Sequence, residues 1–408
     1  MVLVCGRSTS ARYRSLFLVL TGVCAALHIW KLPPALPAMQ RELGLDLVQA
    51  GFLLSSVQMA GMLLGLLIGM VSEKIGLRRC ILIGLAILSL MSLLTPWTSR
   101  GSVILLSRAI EGCGFLMVVL PVPALIKRMT DPAGLSRIMG LWGCYMPAGA
   151  VLMLWAGAAW LDIASWRSLW LLLSALTGVV FLLTLWLVPP DPVRARIQSV
   201  QQEAAMSLSD LVRTTLRSGQ VWLVALSFGV YAAQWAAVVG FMPTIYSLVD
   251  VSMSTAGLLT ALIAGGNVIG NLGAGRLLHR GLPAPRLLQI GFVCMMAAAI
   301  VAFGLAQDIA VQFLAILLFS VTGGLIPATL FFLAVTVAPS PQTTSSSVGW
   351  VQQCSSLGQF VGPPVVAWVV HQLGGWQWAW VATCAFAIVG LLMSVCLTKA
   401  LAGGMRHD

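Results

Sequence analysis

Apolar runs of about twenty residues recur from one end of the chain to the other, separated by short polar loops. They fall at 15–38, 48–71, 80–98, 102–126, 136–160 and 167–189, and again at 219–246, 254–278, 286–305, 309–337, 345–370 and 377–399. At a helical rise of about 1.5 Å per residue, each run reaches across a hydrocarbon core about 30 Å thick. Inside lipid a continuous apolar run satisfies its own backbone only as a helix. The pattern therefore predicts an all-α membrane protein of 12 transmembrane helices. One long polar stretch, 190–218, opens on prolines and carries mixed charge. It is expected to be a linker between an N-terminal unit, 1–189, and a C-terminal unit, 219–408, with a short amphipathic helix near Leu208–Leu216.

The two units share a layout. At an offset of 206, Pro37 falls on Pro243, Ala50 and Gly51 on Ala256 and Gly257, Gly69 on Gly275, and Pro121 on Pro327. Few of the residues between these landmarks are identical, but the spacing of the runs matches throughout. Two pseudo-symmetric six-helix bundles are an architecture of secondary transporters.

Composition narrows the class. Hydrophobic residues make up 59% of the 408 positions and charged residues 9%, against roughly 25% charged in a soluble domain. The net charge of +11 does not mark a nucleic-acid binder, because no basic patch with interleaved aromatics accompanies it. Of the 23 Lys and Arg, 18 fall in segments on one side of the predicted spans, including Arg12, Arg14, Lys127, Arg137, Arg194, Arg196, Arg213, Arg276, Arg280 and Lys399. Arg41, Arg100 and Arg167 fall on the other. This asymmetry predicts a multi-pass protein of a bacterial inner membrane with both termini cytoplasmic. The basic residues at the N-terminus lead into an apolar run too long for a cleaved leader, so that run is expected to be an uncleaved first helix. The nine cysteines are scattered, without a Cys-x-x-Cys pair. No phosphate-binding loop, zinc-protease His-Glu-x-x-His or Gly-x-Ser-x-Gly nucleophile motif occurs. Neither an enzyme, a cofactor nor a metal centre is expected.

Several motifs point to a family. The loop after the second span reads GMVSEKIGLRRC, with Gly69, Glu73, Lys74, Gly76, Arg78 and Arg79 at its marked positions. The fourth span carries SRAIEGCG, the fifth MPAG, and the eleventh GQFVGPP; SWRSLW and GWQWAW precede the sixth and twelfth. Together these resemble the major facilitator superfamily, and KLPPALPAMQRELGLDLVQAG, from Lys31 to Gly51, looks most like its cyanate and nitroimidazole transporter branch. Glu73 stands where the family more often has Asp. In the second half GRLLHRG puts His279 where an acid would stand, so that copy of the loop is degraded. The resemblance implies two six-helix bundles around a central cavity, alternating access, and function as a monomer.

Ionisable residues inside spans are costly and mark candidate sites. His28 and Lys31 lie in the first span, Arg108 and Glu111 in the fourth, each pair spaced i, i+3 and so on one helix face. Lys31 and Arg108 against a single Glu111 leave positive charge for an anion, with arginine suited to a bidentate grip on a carboxylate. Glu111 and His28 are the candidates for carrying a proton. The alternatives are a packing ion pair for Arg108 and Glu111, snorkelling for Lys31 and a packed hydrogen bond for His28. The second half has no intramembrane charge and offers Tyr231 and Gln234, Asn267 and Asn271, and Gln352, Gln353 and Gln359. Gln234 is the counterpart of His28 at the repeat offset. Tyr231 and Gln234 join Lys31, Arg108 and His28 as candidate substrate contacts, whereas Asn267 and Asn271 are expected to bond helix to helix. The prolines at 33, 34, 37 and 243 should bend the first and seventh helices. The expected activity is proton-linked movement of a small organic or inorganic anion. The alternative is proton-antiport export of a drug or siderophore-like metabolite.

Overall fold

The computed structural model describes residues 2–129, 138, 141–142, 144–190, 208–249, 251–340 and 343–404. The central part of the expected linker, 191–207, and the expected basic residues Arg137, Arg194, Arg196 and Arg406 lie outside the described residues, as do the side chains of Glu73, Lys74 and Lys127. Among the described residues there are helices and no strands.

Eleven helices are long and apolar enough to cross a membrane. These are α1 (Tyr13–Leu43), α2 (Leu47–Gly65), α3 (Leu77–Trp97), α4 (Gly101–Val119), α5 (Tyr145–Ile163) and α6 (Trp166–Leu187), then α7 (Gly219–Ser247), α8 (Met253–His279), α9 (Ala284–Leu305), α10 (Ile309–Thr336) and α12 (Trp376–Leu401). The twelfth membrane helix, α11 (Thr344–Leu373), has 30 residues, and about 45 Å of helix is ample for a crossing. It falls short in hydropathy because Gln352, Gln353, Ser355, Ser356 and Gln359 dilute its apolar residues. Most of those polar groups are sheltered rather than lipid-facing: Ser355 and Ser356 are buried, and Gln353 and Gln359 half-buried. The amphipathic helix expected in the linker forms over Leu208–Arg217, and its Thr215 hydroxyl meets Ser346 Oγ on α11 at 2.6 Å.

Two helix interruptions follow from sequence chemistry. In α1 the helix ends at Trp30 and restarts at Leu32, with Lys31 at the junction. Pro33 and Pro34 carry no N–H, so the carbonyls of Ile29 and Trp30 lose their donors one turn later. The break thus sits near mid-helix, whereas Pro37 lies inside the second piece. Pro243 leaves α7 an unbroken helix over Gly219–Ser247, because it sits in the last two turns where few hydrogen bonds remain to be lost. The α2 helix runs on past its apolar span to Ile75, and the chain then reverses into α3 at a single residue, Gly76, whose φ of 104° is open to glycine alone. That requirement accounts for one fixed glycine of the loop motif. Arg78, two residues on, donates to the Leu185 carbonyl of α6 at 2.7 Å, while Arg79 is exposed.

Close helix approach is built on small residues, as expected where lipid supplies no hydrophobic drive between helices. A Cβ on Gly358 of α11 would fall 1.9 Å from the Gly229 carbonyl oxygen of α7, and one on Gly112 of α4 would fall 2.0 Å from the Val57 oxygen of α2. The two halves meet along α2 with α11 and along α5 with α8, while α7 packs on the second piece of α1, Leu32–Leu43. At the membrane face opposite the termini, the Ser254 amide of α8 donates to Asp162 of α5 at 3.1 Å.

Candidate functional site

The four intramembrane ionisable groups of the first half converge. His28, Lys31, Arg108 and Glu111 are each fully buried, and the interior they share is bounded by α1, α3, α4 and α6. Glu111 is the hub. Its Oε1 accepts from Lys31 Nζ at 2.5 Å and from Ser92 Oγ of α3 at 2.9 Å, and its Oε2 accepts from Arg108 Nη1 at 2.6 Å. Lys31 Nζ also donates to Ser92 Oγ at 2.8 Å and stands 4.6 Å from the centre of the Trp170 ring of α6. His28 is held at both nitrogens, with Nδ1 3.0 Å from Ser92 Oγ and Nε2 2.7 Å from Thr177 Oγ1 of α6. A neutral imidazole protonated at Nδ1 satisfies both contacts, with the Ser92 hydroxyl donating its own hydrogen bond to Glu111 Oε1.

Arg108 has a second task. Its Nη1 donates to the His28 carbonyl at 2.7 Å and its Nη2 to the Ile29 carbonyl at 3.3 Å. Ile29 is the residue whose helical donor Pro33 removes, so the guanidinium supplies hydrogen bonds where the broken backbone cannot. The cluster therefore pins the junction in α1 to α4 from two directions, through Lys31 to Glu111 and through Arg108 to the His28 carbonyl and the freed Ile29 carbonyl. Lys31 Nζ and both terminal nitrogens of Arg108 are already engaged, and the Arg108 Nε is the donor left without a partner among the described residues.

In the second half the candidate residues divide. Tyr231 of α7 receives a hydrogen bond from Asn267 Nδ2 of α8 at 2.9 Å, and the same nitrogen donates to the Ser320 carbonyl of α10 at 3.0 Å. Asn271 donates to Asn267 Oδ1 at 2.9 Å. Asn267 thus joins α8 to α7 and α10 and orders the Tyr231 hydroxyl, whereas Asn271, expected to bond helix to helix, bonds only within α8, to Asn267 one turn away. Gln234 is fully buried with neither amide atom hydrogen-bonded among the described residues, and it does not join the charges. The symmetry runs further than His28 and Gln234. Thr177, the partner of His28, has Thr383 as its counterpart at the offset of 206, and Thr383 returns its hydroxyl to the Ala379 and Trp380 carbonyls.

The seam between the halves is lined by neutral groups. Trp30 of α1 meets Trp235 of α7 edge to face with ring centres 5.6 Å apart. Gln58 Nε2 of α2 donates to Gln359 Oε1 of α11 at 3.0 Å, and Gln353 Nε2 donates to the Met62 carbonyl at 2.7 Å. Within the first half, Trp142 and Tyr145 stack at 4.3 Å near the start of α5, with the Trp142 ring against Gly22 of α1. Ser92, Thr177, Trp170 and Trp235 are the participants that the sequence did not single out. Serines, threonines and tryptophans abound in every span, and only the repeat offset, applied to Thr177, offered a signal.

A sequence model of the Major Facilitator Superfamily matches residues 18–363. The chain belongs to this superfamily. It is 26% identical over 379 residues to a 2-nitroimidazole transporter of Escherichia coli, covering 89% of this chain and 88% of that one. It is also 28% identical over 203 residues to a puromycin resistance protein of Streptomyces alboniger, covering 49% and 38% of the two chains. Against the quinolone resistance protein NorA of Staphylococcus aureus the identity is 24% over 236 residues, with 58% and 56% covered. The chain thus spans well under two thirds of the length of these two resistance proteins. Among solved structures, a bacterial homologue of the human lysosomal transporter Spinster, inward-facing and unoccupied, superposes with a TM-score of 0.81 at 16% identity, covering 96% and 97%. The nucleoside transporter NupG superposes at 0.76 and 16%, covering 94% and 99%. The helical membrane fold of this superfamily member is the one that its apolar pattern and loop motif predict.

Proposed function

We propose that the chain is a monomeric secondary transporter of a bacterial inner membrane, with cytoplasmic termini and bundles 1–189 and 219–408, that exports aromatic solutes lacking net negative charge in exchange for protons. The observation that carries this reading is that Lys31 and Arg108 are both paired to Glu111 inside the first bundle, while the seam between the halves is lined by Trp30, Trp235, Gln58, Gln353 and Gln359. The names of the similar proteins, which concern nitroimidazole, puromycin and quinolones, point to the same solute chemistry. In this reading Glu111 is the proton carrier and His28 its relay through Ser92. A proton on Glu111 removes the counter-charge that fixes Lys31 at the α1 junction, and the helix is then free to re-bend. Chemistry at one carboxylate is thereby linked to a movement of the helix that borders both bundles.

A second reading, carriage of a small anion gripped by Lys31 and Arg108, draws on the surplus of two cations over one carboxylate and on the Arg108 Nε, which has no partner among the described residues. One assay decides between them. Purified protein in proteoliposomes with an imposed pH gradient is expected to move labelled 2-nitroimidazole, a quinolone or puromycin against its gradient, with Glu111→Gln abolishing the dependence on pH. Flux of small anions such as cyanate or benzoate, with none of the aromatic solutes, would establish the second reading instead.

A further inference from the structure

We propose that Tyr231 is the hydrogen-bond donor that selects the solute, and that the solute presents an acceptor atom on or beside an aromatic ring. This rests on the aromatic-solute reading above and names the group that reads it. The argument begins at Asn267, whose Nδ2 lies 2.9 Å from Tyr231 Oη and 3.0 Å from the Ser320 carbonyl oxygen. A carbonyl oxygen only accepts, so the amide must turn its NH2 toward it; the flipped amide would set oxygen against oxygen. Asn271 enforces the same orientation from the far side, donating to Asn267 Oδ1 at 2.9 Å. Both hydrogens of the Asn267 amide are then committed, and the Tyr231 oxygen is an acceptor. Its own hydrogen has no acceptor among the described residues.

An unused donor on a side chain 5% exposed is costly unless something visits it. Its place says what could. Tyr231 stands one helical turn from Trp235 on α7, and Trp235 meets Trp30 across the two halves at 5.6 Å. Trp30 brings a second unspent donor, since its indole N–H is unpartnered while the residue is 8% exposed. Phe228 adds a ring stacked on Tyr231 at 6.1 Å. One donor from each bundle beside aromatic faces, with no charge on either, matches a planar ring that carries a nitro, carbonyl or ring-nitrogen acceptor. Asn267 and Asn271 are positioning residues in this scheme, because they hold the phenol as a donor rather than touching the solute.

The test is the concentration dependence of labelled 2-nitroimidazole flux in proteoliposomes. Tyr231→Phe is expected to raise KM about tenfold, the equivalent of one hydrogen bond, with Vmax within about twofold. Asn267→Asp should give the same rise although the tyrosine remains, because the carboxylate captures the phenol hydrogen. Combining the two should add nothing further. A packing role would instead lower Vmax and thermal stability in both variants and leave KM alone, which overturns the inference. Should Tyr231→Phe fail to fold by size-exclusion chromatography, Asn267→Asp carries the same expectation alone. If the unaltered protein moves 2-nitroimidazole and neither variant shifts KM, the inference falls and the aromatic-solute reading stands. If the unaltered protein moves none of 2-nitroimidazole, a quinolone and puromycin, both fall.

Discussion

Glu111 serves two cations with one carboxylate, and the three groups are fully buried. Removing one member of such a buried set costs far more than the set contributes, because the remaining charges lose their compensation. Glu111→Gln leaves Lys31 and Arg108 both uncompensated and is expected to lower stability by about 3–5 kcal/mol, read as a fall in Tm in detergent. Adding Lys31→Met to that variant leaves one stranded cation in place of two. The double variant should therefore recover part of the loss, and a cycle over the two sites should show coupling. Independent surface charges would show none. At this scale the sequence was informative about identity and silent about geometry. It placed His28, Lys31, Arg108 and Glu111 as costly residues needing a reason. It could not show that Ser92 and Thr177 complete their bonding, because a hydroxyl in a span has no distinctive pattern and usually bonds its own helix.

Single helices show how local chemistry sets shape. Gly76 reverses the chain between α2 and α3 at φ 104°, ψ 132°, a region where a Cβ is strained by about 1–3 kcal/mol. Gly76→Ala is accordingly expected to lower Tm, and Arg79→Ala, at an exposed position of the same motif, to leave it nearly unchanged. Where helices touch, glycine has a different purpose. Gly358→Leu would drive a side chain into the Gly229 carbonyl, which a Cβ alone would approach to 1.9 Å. Its expected outcome is loss of monodisperse protein on size-exclusion chromatography, whereas Gly275→Ala, which has open space around it, should be tolerated. The prolines were legible as a bend in α1, since removal of N–H groups follows from residue type. Their relief by Arg108 was not, because the guanidinium arrives from another helix.

Across the whole molecule, the contact between halves is polar but uncharged within the membrane. Gln58 to Gln359 and Gln353 to the Met62 carbonyl tie α2 to α11, and Asp162 ties α5 to the start of α8. Interhelical hydrogen bonds of this kind contribute about 0.6 kcal/mol each on average in membrane proteins, so losing one shifts a two-state balance roughly threefold. Gln58→Leu is expected to speed the labelling of a cysteine placed at Ser254 by an impermeant reagent by about that factor. An unchanged rate would mean that this bond does not hold the seam closed. A modest term suits the alternating access proposed above, in which the same seam opens and closes in each cycle. These glutamines also explain why hydropathy alone undercounts the spans. A helix that carries the polar side of a bundle interface reads as weakly apolar, although its length and packing make it a full crossing.

The sequence by itself determined the class of molecule, the number and order of its helices, the repeat between its halves and the loop motif of its superfamily. Those properties depend on residue type and spacing along one chain: lipid demands long apolar helices, and a tight reversal demands glycine. Only the tertiary structure decided how the buried charges are used. Whether Lys31 and Arg108 are free to hold a ligand or are taken up by Glu111 depends on α3 and α6 closing over them with Ser92, Trp170 and Thr177. Whether Tyr231 accepts or donates depends on a carbonyl at Ser320, 89 positions away in the chain. Hydrogen-bond direction and charge compensation are properties of neighbours, and the neighbours come from other helices.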